Sequence, residues 1–141
     1  MRTSARNAFP GTITKLKKGA VNAEIELTLT PGERIIAIIT NGSVDALALQ
    51  VGSKATALIK ASWIILGKDL QNARLSTRNI MPGTVQSVQE GAVNSEVTLK
   101  LDAGTLLTAI ITNRSVVALG MKPGDEAFAA FKASHVILAV E

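Results

Sequence analysis

Apolar and polar residues alternate strictly from Ala23 to Leu29 (AEIELTL), placing Ile25, Leu27 and Leu29 on one face. That period of two predicts a half-buried strand. Residues 12–16 (TITKL) alternate in the same way, and Lys17, Lys18 and Gly19 read as the turn between the two strands. Pro31-Gly32 is a strong turn pair, because Pro fixes φ at the first position and Gly accepts positive φ at the second. The apolar run Arg34 to Ile39 predicts a buried strand. Thr40-Asn41 then starts a short helix over 43–49, with Val44, Leu47 and Leu49 as its inward-facing candidates. Gly52 ends that piece, residues 54–60 (KATALIK) alternate again, and 63–66 (WIIL) is the expected closing strand of the unit.

The same pattern then returns. Residues 4–66 align with residues 76–138 at a constant offset of 72 without a gap, and 31 of these 63 positions are identical. SARN at 4–7 becomes STRN at 76–79, PGT at 10–12 returns at 82–84, and GAVNAE at 19–24 becomes GAVNSE at 91–96. AIITN at 37–41 returns at 109–113, and KAS at 60–62 returns at 132–134. Five short strands with one small helix before the fourth resemble a closed barrel of the OB type. The expected fold is therefore all-β: two tandem OB-like barrels at 1–68 and 76–141, joined by a polar linker at 69–75. Units this small lie near the lower limit for an independent core, so packing or oligomerisation is expected to stabilise them.

Composition narrows the chemistry. Apolar residues make up 47% of the chain but aromatics only 3%, so Ala, Val, Ile and Leu must build the core. The chain has no Cys and one His, which excludes disulfides, thiolate metal sites, cysteine nucleophiles and multi-histidine sites. No apolar run reaches the roughly 18–20 residues of a membrane helix. The N-terminus lacks the apolar segment of a signal peptide, so the expected location is the cytoplasm of a prokaryote-like cell. The net charge of +4 sits wholly in residues 1–72, with nine Lys/Arg against five Asp/Glu; residues 73–141 carry six of each. Only Lys15, Lys17 and Lys18 approach a basic cluster.

Polar residues kept in both copies are the candidates for function. They are Ser4/Ser76, Arg6/Arg78, Asn7/Asn79, Asn22/Asn94, Glu24/Glu96, Thr40/Thr112, Asn41/Asn113, Ser43/Ser115, Lys60/Lys132 and Ser62/Ser134. Nearly all can donate hydrogen bonds, and only Glu24 and Glu96 are acidic. General acid–base catalysis wants a recurring His or a carboxylate pair, and neither is present; His135 is matched by Trp63. Magnesium and calcium sites need clustered carboxylates, and a phosphate loop needs GxxxxGK[ST]. No enzyme is expected. A deprotonated tetrahedral anion has acceptor oxygens only, and a set of donors suits it. A helix start at Thr40-Asn41-x-Ser43 would add N–H groups and the positive end of a dipole. The plainer readings are that Thr40, Asn41 and Ser43 cap a helix, and that Arg6 and Lys60 are solvated charges.

The combined motifs SARN-x₃-GT, GAVNAE, AIIT-x-x-S and KAS resemble the Mop domain, a small molybdate- and tungstate-binding module. Two such units along nearly the whole chain are similar to the tandem di-Mop (molbindin) proteins. The resemblance implies an OB-like barrel, a homotrimer, and molybdate or tungstate as ligand without an organic cofactor. It implies interface sites made by Ser4, Arg6, Lys60, Ala61 and Ser62 with Thr40 and Ser43 from another unit. The second copy offers Ser76, Arg78, Lys132, Ala133 and Ser134 with Thr112 and Ser115. It further implies sites near a threefold axis at the turns Gly19, Ala20, Val21, Asn22 and Gly91, Ala92, Val93, Asn94. The function expected is intracellular oxyanion binding and storage. Two alternatives stand beside it. One is a single-stranded nucleic-acid module, which would need Phe9, Trp63, Phe128 and Phe131 as stacking groups. The other is a molybdate-responsive regulatory module acting in trans, since neither an ATPase segment nor a helix-turn-helix pattern is attached.

Overall fold

The computed structural model describes residues 1–141. In the first copy, β1 (Asn7–Lys18), β2 (Asn22–Leu29) and β3 (Arg34–Thr40) lead into the helix α1 (Asn41–Ala46), then β4 (Lys54–Ile59) and β5 (Ile65–Gly67). The second copy repeats this as β6 (Asn79–Glu90), β7 (Asn94–Leu101), β8 (Leu106–Thr112), α2 (Asn113–Leu119), β9 (Glu126–Phe131) and β10 (Ile137–Ala139). All strand pairs are antiparallel, and the chain is nearly all-β, as the alternation predicts. No helix is long and apolar enough to cross a membrane.

β1 is longer than the alternation at 12–16 suggests, because it also runs through Pro10 and Gly11 to pair with β4. Gly11 is required there: a Cβ would stand 2.5 Å from the Thr28 carbonyl oxygen, and Gly83 meets Lys100 in the same way. Two residues further on, the register slips between Ile13 and Lys15, and in the second copy between Val85 and Ser87. A bulge at that point bends and twists the strand, which lets a five-stranded sheet curl on itself. The inward faces are aliphatic. Ile13, Ile25, Leu27, Ile35 and Ile59 are fully buried in one unit, and Val97, Leu99, Leu107, Ala109 and Phe131 in the other.

The sheets are ordered β10-β4-β1-β2-β3 and β5-β9-β6-β7-β8. Each repeat has its expected fifth strand, but that strand closes the other repeat's sheet. The compact units are accordingly Met1–Ile59 with Lys132–Glu141, and Lys60–Phe131. They cut across the boundaries expected at 1–68 and 76–141, because the closing strands are exchanged. Gly67 is the last residue of β5. Beyond it, Asp69 takes a left-handed conformation before a single 3₁₀ turn at Leu70–Asn72, within the expected linker.

Candidate functional site

The first candidate is the turn between the first two strands of each copy. Gly19 donates its N–H to the Asn22 carbonyl at 2.7 Å, and Gly91 donates to Asn94 at 2.9 Å. The next segment of the same unit then grips the turn. Asn41 donates its backbone N–H to Val21 O and its Nδ2 to Gly19 O, each at 2.9 Å. Asn113 does the same to Val93 and Gly91, again at 2.9 Å. The residues Ala20, Val21 and Asn22, and likewise Ala92, Val93 and Asn94, are left exposed. Asn41 and Asn113 therefore hold the turns. Both recur at matching positions of the two copies, which is the signal the sequence carries; local pattern alone implies only a helix-start role.

The second candidate is a cleft of about 380 Å³ in the Lys60–Phe131 unit. Its polar lining comes from Ser62, Asn94, Thr112 and Ser115, set among Ile64, Ile110, Ile111 and Leu119. Ser62 reaches it because β5 crosses to this sheet: the 3₁₀ turn Ala61–Trp63 packs against β8. In the other unit the corresponding turn, Ala133–His135, packs against β3, whose last residue is Thr40. The exchange thus sorts the expected site residues by unit. Lys60, Ala61, Ser62, Ser76, Arg78, Thr112 and Ser115 fall in one, and Ser4, Arg6, Thr40, Ser43, Lys132, Ala133 and Ser134 in the other. Ala61 and Ala133 are buried, so they pack rather than present a side chain.

Hydrogen bonding at the helix starts corrects one expectation. Ser43 N–H is taken by Thr40 Oγ1 at 3.0 Å and Ser115 N–H by Thr112 Oγ1 at 3.1 Å, so these amides are not on offer. The Thr residues are true N-caps, and both helices are too short for a large dipole. What the cap does supply is direction. Thr40 donates its hydroxyl proton to Ser43 Oγ at 2.9 Å, and Thr112 to Ser115 Oγ at 2.8 Å. With Ser Oγ already accepting, the serine proton is the outgoing donor.

The cationic residues flank these features. Lys60 Nζ lies 5.7 Å from the centroid of the Trp63 ring, a cation–π distance that orients the ammonium. In the second copy His135 replaces that ring. Arg6 and Arg78 are exposed, each just before a buried Asn that anchors the strand start. Asn7 Nδ2 donates to the Ile59 carbonyl at 3.2 Å. Elsewhere, Lys68 Nζ donates to Asp125 Oδ2 at 2.9 Å and to Gly120 O at 3.0 Å. The hydrogen bond from the Lys68 ammonium holds the Asp125 carboxyl below its ordinary value, against the opposing effect of burial. Three of the four aromatics that a stacking platform would need, Phe9, Phe128 and Phe131, are core residues, leaving only Trp63 at the surface.

The chain is similar to known proteins along nearly its whole length. The TOBE domain family matches residues 3–66 and again 75–138. The molybdenum-pterin-binding protein MopA of Rhodobacter capsulatus is 46% identical over 140 residues, covering 99% of the chain and 53% of MopA. The molybdenum transport protein ModE of Azotobacter vinelandii is 43% identical over 140 residues, with 99% and 52% covered. The chain spans about half the length of the curated relatives it matches. Among solved structures, the cytoplasmic molybdate-binding protein ModG, crystallised with molybdate bound, is 48% identical with a TM-score of 0.95, covering 100% of both chains.

Proposed function

Because the chain belongs to the TOBE domain family, twice over and along nearly its whole length, we propose that it binds and stores molybdate or tungstate in the cytoplasm, without catalysis. The observation that carries this reading is the full-length similarity to ModG, a protein seen with molybdate bound. The donor set supports it. Ser62 and Ser115 line one cleft with no carboxylate among its lining residues, and Lys60 stands two residues before Ser62 in the chain. A tetrahedral dianion brings only acceptors, so serine hydroxyls, an ammonium and a guanidinium satisfy it, whereas hydrogen phosphate brings a proton that needs an acceptor.

In this reading the interface sites use Ser4, Arg6, Thr40, Ser43, Lys132, Ala133 and Ser134 in one unit. Ser76, Arg78, Thr112, Ser115, Lys60, Ala61 and Ser62 serve the other. The turns Gly19–Asn22 and Gly91–Asn94 form a second class of site on the axis of a homotrimer. Exposed Val21 and Val93 at the turn tips suit burial in such an assembly. Storage is favoured over nucleic-acid binding by the burial of Phe9, Phe128 and Phe131, which leaves no row of stacking surfaces.

Isothermal calorimetry with molybdate, tungstate, sulfate and phosphate tests the ligand, and sedimentation equilibrium tests the trimer. Heat with molybdate but little with sulfate or phosphate is expected; equal binding of sulfate would overturn the reading.

A further inference from the structure

The two turns are built alike but held unequally. Asn113 makes three hydrogen bonds: its N–H to Val93 O, its Nδ2 to Gly91 O, and its Oδ1 as acceptor from Ser95 Oγ at 2.5 Å. Asn41 makes the first two to Val21 and Gly19. The third is missing, because Ala23 occupies the place of Ser95, and Asn41 Oδ1 is buried without a hydrogen-bond partner. Ala23 and Ser95 are equally buried, at 1% exposure each, so bulk solvent does not reach the place of the lost hydroxyl.

A buried acceptor left unmet raises the free energy of the state that buries it. In the first copy that state is the clamped turn, and opening the clamp returns Asn41 Oδ1 to water. In the second copy Ser95 removes this incentive, and it also fixes the orientation of the Asn113 amide, with Nδ2 toward Gly91. A site whose donors are already in place binds a rigid ion with less ordering cost than one that must first close.

We infer that Ser95 is a positioning residue that makes the two turn sites unequal: the Gly91–Asn94 turn takes a tetrahedral oxyanion more tightly than the Gly19–Asn22 turn. The inference rests on the proposed role of the turns as oxyanion sites. One net hydrogen bond corresponds to about a fivefold difference in affinity.

The test is a titration of the ¹⁵N-labelled full-length protein with sodium molybdate, followed at the Val21 and Val93 amides. Amide exchange of Asn41 and Asn113 is measured without ligand. In the wild type, Val93 is expected to reach its midpoint at about fivefold lower molybdate than Val21, and Asn113 to exchange more slowly than Asn41. Ala23→Ser should bring the Val21 midpoint down to that of Val93. Ser95→Ala should bring the Val93 midpoint up to that of Val21, and Ser95→Thr should restore it. Equal wild-type midpoints overturn the inference. So does an Ala23→Ser variant that slows Asn41 exchange without moving the Val21 midpoint, since Ser95 would then be structural only. If neither turn amide responds while calorimetry records molybdate binding, the turns are not oxyanion sites, and that reading fails together with the inference.

Discussion

Gly67 lies opposite Phe128 across the β5–β9 pair, so close that any Cβ on Gly67 would collide with the phenyl ring. The equivalent pair in the other sheet is Ala139 opposite Thr56, where a methyl group is tolerated. Each closing strand is thus matched to the sheet it enters: the strand ending in Gly goes to the sheet with Phe, and the strand ending in Ala to the sheet with Thr. Gly67→Ala should destabilise the protein by about 1–3 kcal/mol, the usual cost of overpacking a tight site. In a Phe128→Thr background, the same Gly67→Ala change should cost almost nothing. Denaturant unfolding of the four proteins of this cycle measures the difference, and an equal penalty in both backgrounds would count against steric matching.

Exchange of the last strands makes a further prediction about the C-terminus. Ile137, Leu138 and Ala139 pair with Leu58, Ala57 and Thr56 of β4. A chain ending at His135 should lose hydrogen-exchange protection along β4 while β9 keeps its own, because β5 still covers β9. Loss of protection in β9 instead would mean that each repeat closes its own sheet.

The cleft allows stability and binding to be separated. Ser62 is exposed and makes no helix cap, whereas Thr112 both caps α2 and orients Ser115. Ser62→Ala should weaken molybdate binding severalfold at unchanged melting temperature. Thr112→Val should weaken binding and also cost about 1 kcal/mol of stability, the usual loss of an N-cap. Calorimetry and thermal melts on the two variants check both halves, and unchanged affinity in Ser62→Ala would remove Ser62 from the site.

Removal of either Lys60 or Arg6 takes away a charge-assisted donor. Each Ala substitution should reduce molybdate affinity by about tenfold or more. Trp63→Ala, which releases the Lys60 ammonium from its ring, should produce a smaller loss of the same kind. Competition binding against unlabelled molybdate gives the ratios.

The Lys68–Asp125 pair predicts a pH dependence confined to acid. Its carboxyl is held below the ordinary carboxylate value, so the folded state binds its proton less readily than the unfolded chain. The stabilisation is therefore fully present above the unfolded value of about 4 and disappears as pH falls through the folded one. Asp125→Asn should melt below the wild type near neutral pH, and the gap should close as pH falls through the folded-state value. A gap that persists in acid would show that the pair acts by shape rather than charge.

Much of this was legible in the residues themselves. Alternation located the strands, because a pleated strand with one buried face repeats every two residues; Ile25, Leu27 and Leu29 are all buried as that period requires. The caps at Thr40 and Thr112 were legible because their chemistry is local. The offset of 72 revealed two copies of one unit. What the sequence could not decide was which sheet each fifth strand joins. Ile65-Leu66 and Ile137-Leu138 are identical pairs, so either would satisfy the apolar edge of either sheet. Only in three dimensions does Gly67 meet a phenyl ring that leaves room for hydrogen and not for a methyl group. The same holds for the clamped turns. Ala23 and Ser95 look like a neutral exchange along the chain, and only the fold brings Ser95 to the amide of Asn113 and leaves that of Asn41 unmet. Local periodicity and capping are properties of neighbours in sequence; packing and hydrogen-bond satisfaction depend on residues that only the folded chain brings together.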